Sequence, residues 1–182
     1  MTADPNLEKY NEPEVVDYYK KAEGLQPSEE YLFKRYLKPG MSILDIGVGG
    51  GRTTPYLSKI AARYVGADYS NAMVEVCKKR FPALEFCHAD ATDMRVFQDN
   101  EFDAVVFSFN GIDYIQIDVA RLKCLGEVFR ILKPEGCFIF SSHNAKVLGI
   151  WPSFDGARHY KILWRIFRSI GKTISLTRKQ LF

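Results

Sequence analysis

The residues that could do chemistry lie together in one segment, Ile43-Leu-Asp-Ile-Gly-Val-Gly-Gly-Gly-Arg-Thr-Thr54. Its apolar, partly β-branched start predicts a strand, the glycines that follow predict a tight turn, and the residues after them can enter a helix. Glycine can adopt positive φ and lets the backbone approach a ligand closely, while a helix N-terminus offers unpaired N–H groups. The segment therefore predicts a cradle for a nucleotide-type cofactor.

Two common versions of such a turn fit the segment poorly. A dinucleotide fingerprint beginning at Gly47 needs a small residue at position 52, and this chain has Arg52 there, which weakens the NAD hypothesis. A phosphate-binding P-loop needs Gly-Lys followed by Ser or Thr, which does not occur after these glycines. What remains is an acidic residue followed by alternate glycines, Asp45-x-Gly47-x-Gly49-x-Gly51.

This acidic, glycine-rich segment resembles the cofactor motif of class I S-adenosylmethionine-dependent methyltransferases. The resemblance extends over about residues 40–144. It implies an α/β fold, with a three-layer, Rossmann-like, mostly parallel sheet and helices on both faces, and S-adenosyl-L-methionine as cofactor, with S-adenosyl-L-homocysteine as its product. Gly47, Gly49 and Gly51 would form the cofactor loop. Asp45 would hold the methionine end, because a carboxylate is compatible with a cationic sulfonium and would repel a pyrophosphate.

A second acidic residue, Asp68, follows a predicted strand and stands 17 residues after Gly51. One helix and one strand occupy that distance, so its carboxylate is expected at the carboxyl end of the neighbouring strand, where it can accept both ribose hydroxyls. The alternative is that Asp68 caps the helix predicted over residues 71–80, a role that Ser70 can also fill. The adjacent Tyr69 is expected to be a cofactor contact as well.

The adenine end of the cofactor is assigned through the resemblance. Met73 could touch the adenine face, although filling the core is an equally good explanation. The segment Ala89-Asp90-Ala91 resembles the family's acidic loop after the third strand. Asp90 would then accept a hydrogen bond from the adenine amino group, and the Ala91 N–H would face a ring nitrogen. Asp93 is interpreted as a turn or cap residue.

The transfer site is expected after the fourth strand, because residues 102–109 form an apolar run whose end resembles the family's transfer-site segment. Asn110 could hold the sulfonium end or a polar substrate group, and Asp113 could be a general base or only a turn residue. His143, after a fifth strand predicted at 137–140, could take a proton at neutral pH or simply hydrogen-bond a loop. The segment after the fourth strand is not the Asp/Asn-Pro-Pro-aromatic tetrapeptide of enzymes that methylate exocyclic amines of DNA bases, so DNA is not expected as the acceptor.

Three segments are expected in the 182 residues: an N-terminal helical segment at 1–39, a cofactor-binding core at 40–144 and a tail at 145–182. Helices are predicted at 13–22 and 28–37. In the resembled family the first segment often contributes an aromatic side chain to the pocket, although packing is the more common role of such side chains. The candidates are Tyr10, Tyr18 and Tyr19.

Composition limits the class of protein. No apolar run approaches the roughly 18 residues of a spanning helix, and the polar start has no signal core, so a soluble, cytoplasmic protein is expected. The four cysteines are scattered without a C-x-x-C pair, which favours reduced core thiols and no metal site. They are Cys77, Cys87, Cys124 and Cys137.

The tail is basic: residues 144–182 hold eight Lys and Arg against one acid, a balance of +7 within a chain of net charge +3. Five of the basic residues recur at helical steps, which predicts an amphipathic helix that serves as a lid or contacts RNA or an anionic membrane. They are Arg158, Lys161, Arg165, Arg168 and Lys172.

The chain gives no sequence for the family's last helix and antiparallel strands, so it is expected to be truncated, with an exposed sheet edge that favours a homodimer. The predicted function is a methyltransferase for a small molecule. Two other hypotheses stay open: a non-catalytic S-adenosylmethionine-binding module, and an RNA- or membrane-associated methyltransferase.

Overall fold

The computed structural model describes residues 5–143 and 171–177. Helices precede the sheet, and strands then alternate with helices up to residue 143. The elements are α1 (Pro5–Tyr10), α2 (Pro13–Lys21), α3 (Pro27–Tyr36), β1 (Ser42–Ile46), α4 (Thr54–Ile60), β2 (Arg63–Asp68), α5 (Asn71–Arg80), β3 (Glu85–His88), β4 (Phe102–Phe107), a 3₁₀ helix (Gly111–Tyr114), α6 (Asp118–Ile131), β5 (Leu132–His143) and β6 (Gly171–Thr177).

The sheet formed by these residues has the strand order β3-β2-β1-β4-β5-β6. β1 pairs in parallel with β2 on one side and with β4 on the other, so the chain reverses its direction of travel across the sheet beside β1. Open α/β sheets bind ligands outside the carboxyl ends of the strands at such a switch point. The predicted Rossmann-like, mostly parallel fold is confirmed.

Apolar side chains cover both faces of the sheet because successive residues of a strand point to opposite sides. In β1, Leu44 belongs to the cluster that contains Val128 of α6, whereas Ile43 belongs to the cluster that contains Phe33 of α3 and Leu57 of α4. The sheet is therefore the middle layer of three. No helix within residues 5–143 is long and apolar enough to cross a lipid bilayer.

Two expectations about the tail are wrong, because a further strand, β6, follows β5 in the sheet. It runs antiparallel to β5, from His143 opposite Gly171 to Cys137 opposite Thr177, so an antiparallel strand does follow the parallel ones. Lys172 lies in this strand and not in the predicted basic helix. The segment Thr173-Ile-Ser-Leu-Thr177 alternates polar and apolar residues, which is the period of a strand.

Because β6 covers β5, the exposed β5 edge on which the expected homodimer depended is absent from the described sheet. The other basic residues assigned to the tail helix lie outside the described residues. They are Arg158, Lys161, Arg165 and Arg168.

The cysteine thiols are free, and burial raises the pKa of all four. Cys77, Cys124 and Cys137 are buried and Cys87 is half-buried. Within the described ranges, no group of three or more His, Cys, Asp or Glu side chains is arranged to hold a metal ion.

Candidate functional site

A cavity of about 430 Å³ lies at the carboxyl ends of the first four strands. Each strand contributes residues at or just after its end: Gly47 after β1, Asp68 at the end of β2, Asp90 after β3 and Phe107 at the end of β4. Parallel strands bring their carboxyl ends to one edge of a sheet, so residues far apart in the sequence converge there.

The glycine turn is linked to β2 through Asp68. Gly47, Gly49 and Gly51 have φ of 63°, 55° and 85°, a region in which side chains with a Cβ are strained. The Gly49 N–H donates to Asp68 Oδ2 at 2.8 Å, and the Ser70 N–H donates to Asp68 Oδ1 at 2.8 Å. Gly47 and Gly49 line the cavity, whereas Gly51 does not.

Asp68 is buried but still borders the cavity. Burial raises the pKa of its carboxyl group, and the N–H donors of Ser70 and Gly49 oppose that rise. The alternative role of Asp68 as a helix cap belongs instead to Ser70, whose Oγ accepts from the Met73 N–H at 3.3 Å. Asp68 therefore does not serve as the cap, and its carboxylate stays a candidate acceptor for the ribose hydroxyls.

The residues predicted for the adenine end also line the cavity. They are Asp90, Ala91 and Met73, and Met73 is fully buried in the first turn of α5. Asp90 Oδ1 accepts from the N–H and the hydroxyl of Thr92 at 2.7 and 2.8 Å, which orients its carboxylate. Tyr69 lines the cavity too.

Asp45 lies behind the glycine turn and does not line the cavity. Its Oδ2 accepts hydroxyl hydrogen bonds from Thr53 at 2.6 Å and from Tyr64 at 3.0 Å, and its Oδ1 is buried without a partner among the described residues. Burial raises the pKa of Asp45 to about 6. This position does not support the expected direct contact with the methionine end. Asp45 instead links β1 to β2 and to the start of α4.

The three candidates for transfer chemistry meet at the carboxyl ends of β4 and β5. His143 Nδ1 lies 2.6 Å from Asp113 Oδ2, and His143 Nε2 lies 3.3 Å from Asn110 Nδ2. None of the three lines the cavity, but their chain neighbours Phe109 and Gly111 do. The cluster is therefore at the rim of the cavity.

Phe109 and Asn110 are consecutive and both have positive φ, 56° and 61°. Positive φ is uncommon outside glycine and marks local strain, which concentrates at functional sites. The Asn110 N–H donates to the Ser141 hydroxyl at 2.7 Å, which holds this turn against β5.

Aromatic rings close the outer side of the cavity. Tyr10 lies edge-to-face with Tyr19 at 5.9 Å between ring centroids and with Tyr114 at 5.6 Å, while Tyr19 lies 6.3 Å from Phe109. All four rings line the cavity, whereas Tyr18, the third sequence candidate, is exposed and contacts Tyr19 from outside. Tyr114 was not among the sequence candidates, although it lies in the segment predicted to form the transfer site.

The N-terminal helices are fastened to the glycine turn by two arginines. Arg52 forms a bidentate ion pair with Glu29 at 2.6 and 2.7 Å, with side chains only 13% and 3% exposed, and its guanidinium lies 5.3 Å from the Phe109 ring centroid. Arg80 donates to the carbonyl oxygens of Lys20 and Gly50. No sequence signal identified Glu29, because it lies 23 residues before its partner.

Known proteins resemble this chain over the same core. A demethylmenaquinone methyltransferase of Clavibacter sepedonicus is 41% identical over 100 residues, which are 53% of this chain and 39% of the relative. Phosphoethanolamine N-methyltransferase 1 of Arabidopsis thaliana is 34% identical over 125 residues, 66% of this chain and 24% of the relative. The chain spans less than half the length of these curated relatives.

Solved structures show the same likeness. The PH0226 protein of Pyrococcus horikoshii OT3 has a TM-score of 0.58 and 26% identity, over 80% of this chain and 66% of that one. The family model described as a methyltransferase domain matches residues 44–140, from within β1 through β4 and most of β5. With the glycine turn, the switch-point cavity and this match in place, the chain belongs to the class I S-adenosylmethionine-dependent methyltransferase domain family.

Proposed function

We propose that this domain binds S-adenosylmethionine in the switch-point cavity and transfers its methyl group to an apolar, aromatic small molecule. The observation that carries the proposal is the Asp68 carboxylate, which borders the cavity while two backbone N–H groups fix both of its oxygens. When bound, S-adenosylmethionine supplies a methyl group on a positively charged sulfur, so the protein must mainly align donor and acceptor and exclude water.

The cavity residues fit such a cofactor. Asp68 would accept the ribose hydroxyls, Asp90 would accept from the adenine amino group, and the Ala91 N–H would donate to the ring. A Cβ on Gly47 would lie 2.7 Å from the Phe107 ring, so the turn can lie this close to the end of β4 only with glycine at that position. Asn110, which the sequence analysis also placed at the sulfonium end, lies at the rim and would act from there.

The acceptor side of the cavity favours an apolar aromatic molecule. The rings of Tyr10, Tyr19, Phe109 and Tyr114 offer flat faces, and aromatic pairs stabilise by about 0.5–1.5 kcal/mol beyond the burial of their area. Ile117 lines the cavity and is 67% exposed, so apolar surface continues outward from the rim.

The names of the relatives offer two acceptor classes, and the charge of the cavity lining favours one of them. A phosphorylated amine needs a cationic side chain for its phosphate. Among the described residues that line the cavity, none is Lys, Arg or His. We therefore favour an aromatic acceptor such as the one in the name demethylmenaquinone methyltransferase over phosphoethanolamine.

Calorimetry and a methyl-transfer assay test this function together. The chain is titrated with S-adenosylhomocysteine and then incubated with methyl-labelled S-adenosylmethionine and two acceptor sets, naphthohydroquinones and phosphoethanolamine. Binding with label in the naphthohydroquinones supports the proposal. Binding without label in either set supports a non-catalytic module, label only in phosphoethanolamine overturns the acceptor class, and no binding overturns the function.

A further inference from the structure

We infer that Asp113, His143 and Asn110 form a proton-accepting site in which His143 is the base, so that the acceptor carries its proton on an aromatic hydroxyl. This inference deepens the proposed function and rests on it. The cluster lies at the rim beside Phe109, Gly111 and Tyr114, which line the cavity.

The hydrogen bonds assign the tautomer of His143. Asp113 Oδ2 accepts from the His143 backbone N–H at 2.6 Å and lies 2.6 Å from Nδ1, while Asp113 Oδ1 accepts from the Ser142 hydroxyl at 2.7 Å. A carboxylate in this position accepts, so Nδ1 carries the hydrogen. Nε2 therefore bears the lone pair, and the orientation of the ring is fixed before an acceptor arrives.

The contact at Nε2 is the one that an acceptor can replace. Nε2 lies 3.3 Å from the Asn110 amide nitrogen, longer than the 2.6 Å between Nδ1 and Asp113. Hydrogen bonds weaken as they lengthen. The Asn110 backbone is held by Ser141, so only its side chain must turn aside for a hydroxyl to reach Nε2. Asn110 then supplies an amide that can hold the same hydroxyl oxygen.

In the proposed step, the acceptor O–H bond breaks and its proton goes to His143 Nε2. The electron pair of the ionised ring, on the oxygen or on a conjugated ring carbon, forms the new bond to the methyl carbon. The S–C bond breaks, and sulfur keeps its electron pair as a neutral thioether. On the oxygen route, His143 releases its proton to water through its 52% exposed side chain. On the carbon route, the ring C–H proton goes to water, the electron pair of that bond restores the aromatic ring, and the oxygen regains the proton held by His143.

The Asp113 carboxylate supports this step electrostatically. It lies 2.6 Å from the ring that becomes positively charged, and charge-assisted hydrogen bonds are roughly twice as strong as neutral ones. A purely structural role, in which Asp113 only ties the 3₁₀ helix to the end of β5, explains the same contacts. If the role is only structural, the loss of kcat/KM in the variants should not depend on the acidity of the acceptor. The acidity of the acceptor therefore distinguishes the two roles.

The test uses phenols and naphthols of graded acidity with methyl-labelled S-adenosylmethionine. For a weakly acidic hydroxyl, His143→Gln is expected to lower kcat/KM by roughly 10²–10⁴-fold, the range of general base catalysis. The loss should shrink towards none for phenols that are already ionised at the assay pH. Asp113→Asn should show the same trend more weakly. Arg95→Gln is the control, because Arg95 is exposed and pairs with Asp93 away from the cavity.

An equal loss of kcat/KM for acceptors of every acidity, or no loss in His143→Gln, would contradict the assignment of His143 as the base. Titration with S-adenosylhomocysteine separates this failure from failure of the proposed function, because His143→Gln should bind it as tightly as the unaltered chain does. Imidazole ¹⁵N spectra of the unaltered chain give a second readout that needs no acceptor. The hydrogen is expected on Nδ1 of His143, and a resonance pattern with the hydrogen on Nε2 would contradict the inference.

Discussion

The Gly49 N–H donates to Asp68 Oδ2 across 2.8 Å, and this bond joins the turn after β1 to the end of β2. Both elements that a nucleoside would contact are therefore held in one arrangement before a ligand binds. Preorganisation of this kind raises affinity because less conformational entropy is lost when the ligand binds.

Replacement of Asp68 by Asn should weaken the binding of S-adenosylhomocysteine by roughly 10- to 100-fold. An amide offers one acceptor oxygen where the carboxylate offers two, and hydrogen bonds to charged groups contribute about 1.5–3 kcal/mol. Calorimetry measures the dissociation constant, with Asp93→Asn as the control, because Asp93 pairs with exposed Arg95 and does not line the cavity. Equal affinities of the two variants for S-adenosylhomocysteine would contradict the proposal that Asp68 binds the ribose.

Asp45→Asn should change how stability depends on pH. Burial raises the pKa of Asp45 from 3.8 to about 6, so the folded chain keeps a proton that the unfolded chain releases between these values. The stabilisation from this group is complete below about pH 4 and is lost as the pH rises through about 6, which amounts to about 3 kcal/mol for a shift of about two pKa units. Asn does not titrate.

Urea unfolding from pH 4.5 to 7.5 checks this prediction. The free energy of unfolding of Asp45→Asn should improve relative to that of the unaltered chain as the pH rises. Parallel curves for the two chains would show that Asp45 titrates alike in the folded and unfolded states.

Glu29→Gln should lower the free energy of unfolding by about 3 kcal/mol, because it leaves the Arg52 charge largely buried without its partner. The neighbouring residue provides the control. Glu30 pairs with Lys34 on the surface, with side chains 51% and 64% exposed, and exposed pairs of this type contribute below about 1 kcal/mol. Urea unfolding measures the midpoints of the two variants. If Glu29→Gln and Glu30→Gln unfold at the same urea concentration, the buried pair has no stabilising role.

Gly50→Ala should separate α2 from the glycine turn. A Cβ at Gly50 would lie 2.3 Å from the Tyr19 carbonyl oxygen, so one of the two segments must move. Trypsin should then cleave faster after Lys20 and Lys21, and the affinity for S-adenosylhomocysteine should fall. Gly126→Ala is the matched control, because a Cβ at this position of α6 would meet nothing within 4 Å. Since alanine favours a helix more than glycine does, this change should stabilise the chain by roughly 0.5–1 kcal/mol.

The sequence was most informative where local rules determine position. The 17-residue spacing placed Asp68 at the end of β2, because one helix and one strand have narrow length ranges. It gave Asp45 a direct cofactor contact, and strand alternation explains why Asp45 lies behind the turn: Leu44 and Ile46 point to the face that α6 covers, so Asp45 points to the opposite face, under the helix that follows the turn.

Contacts between distant residues were beyond a single sequence. Asp113 and His143 were separate candidates 30 residues apart, and only the parallel pairing of β4 with β5 brings their loops together. The pair of Glu29 and Arg52 gave no local pattern at all. The strand β6 had a local signal, but the helical spacing of the basic residues before it was extended through Lys172, which hid the change from a helical period to a strand period.

The two consecutive left-handed residues at Phe109 and Asn110 have an implication for protein engineering. A non-glycine residue held in such a conformation costs about 1–3 kcal/mol, so glycine at Asn110 would make the chain more heat-tolerant. It would also delete the amide beside His143. A selection for thermal tolerance alone would therefore favour chains that survive heating but lack this amide of the proposed proton-accepting site, and screens on this scaffold should score turnover alongside melting.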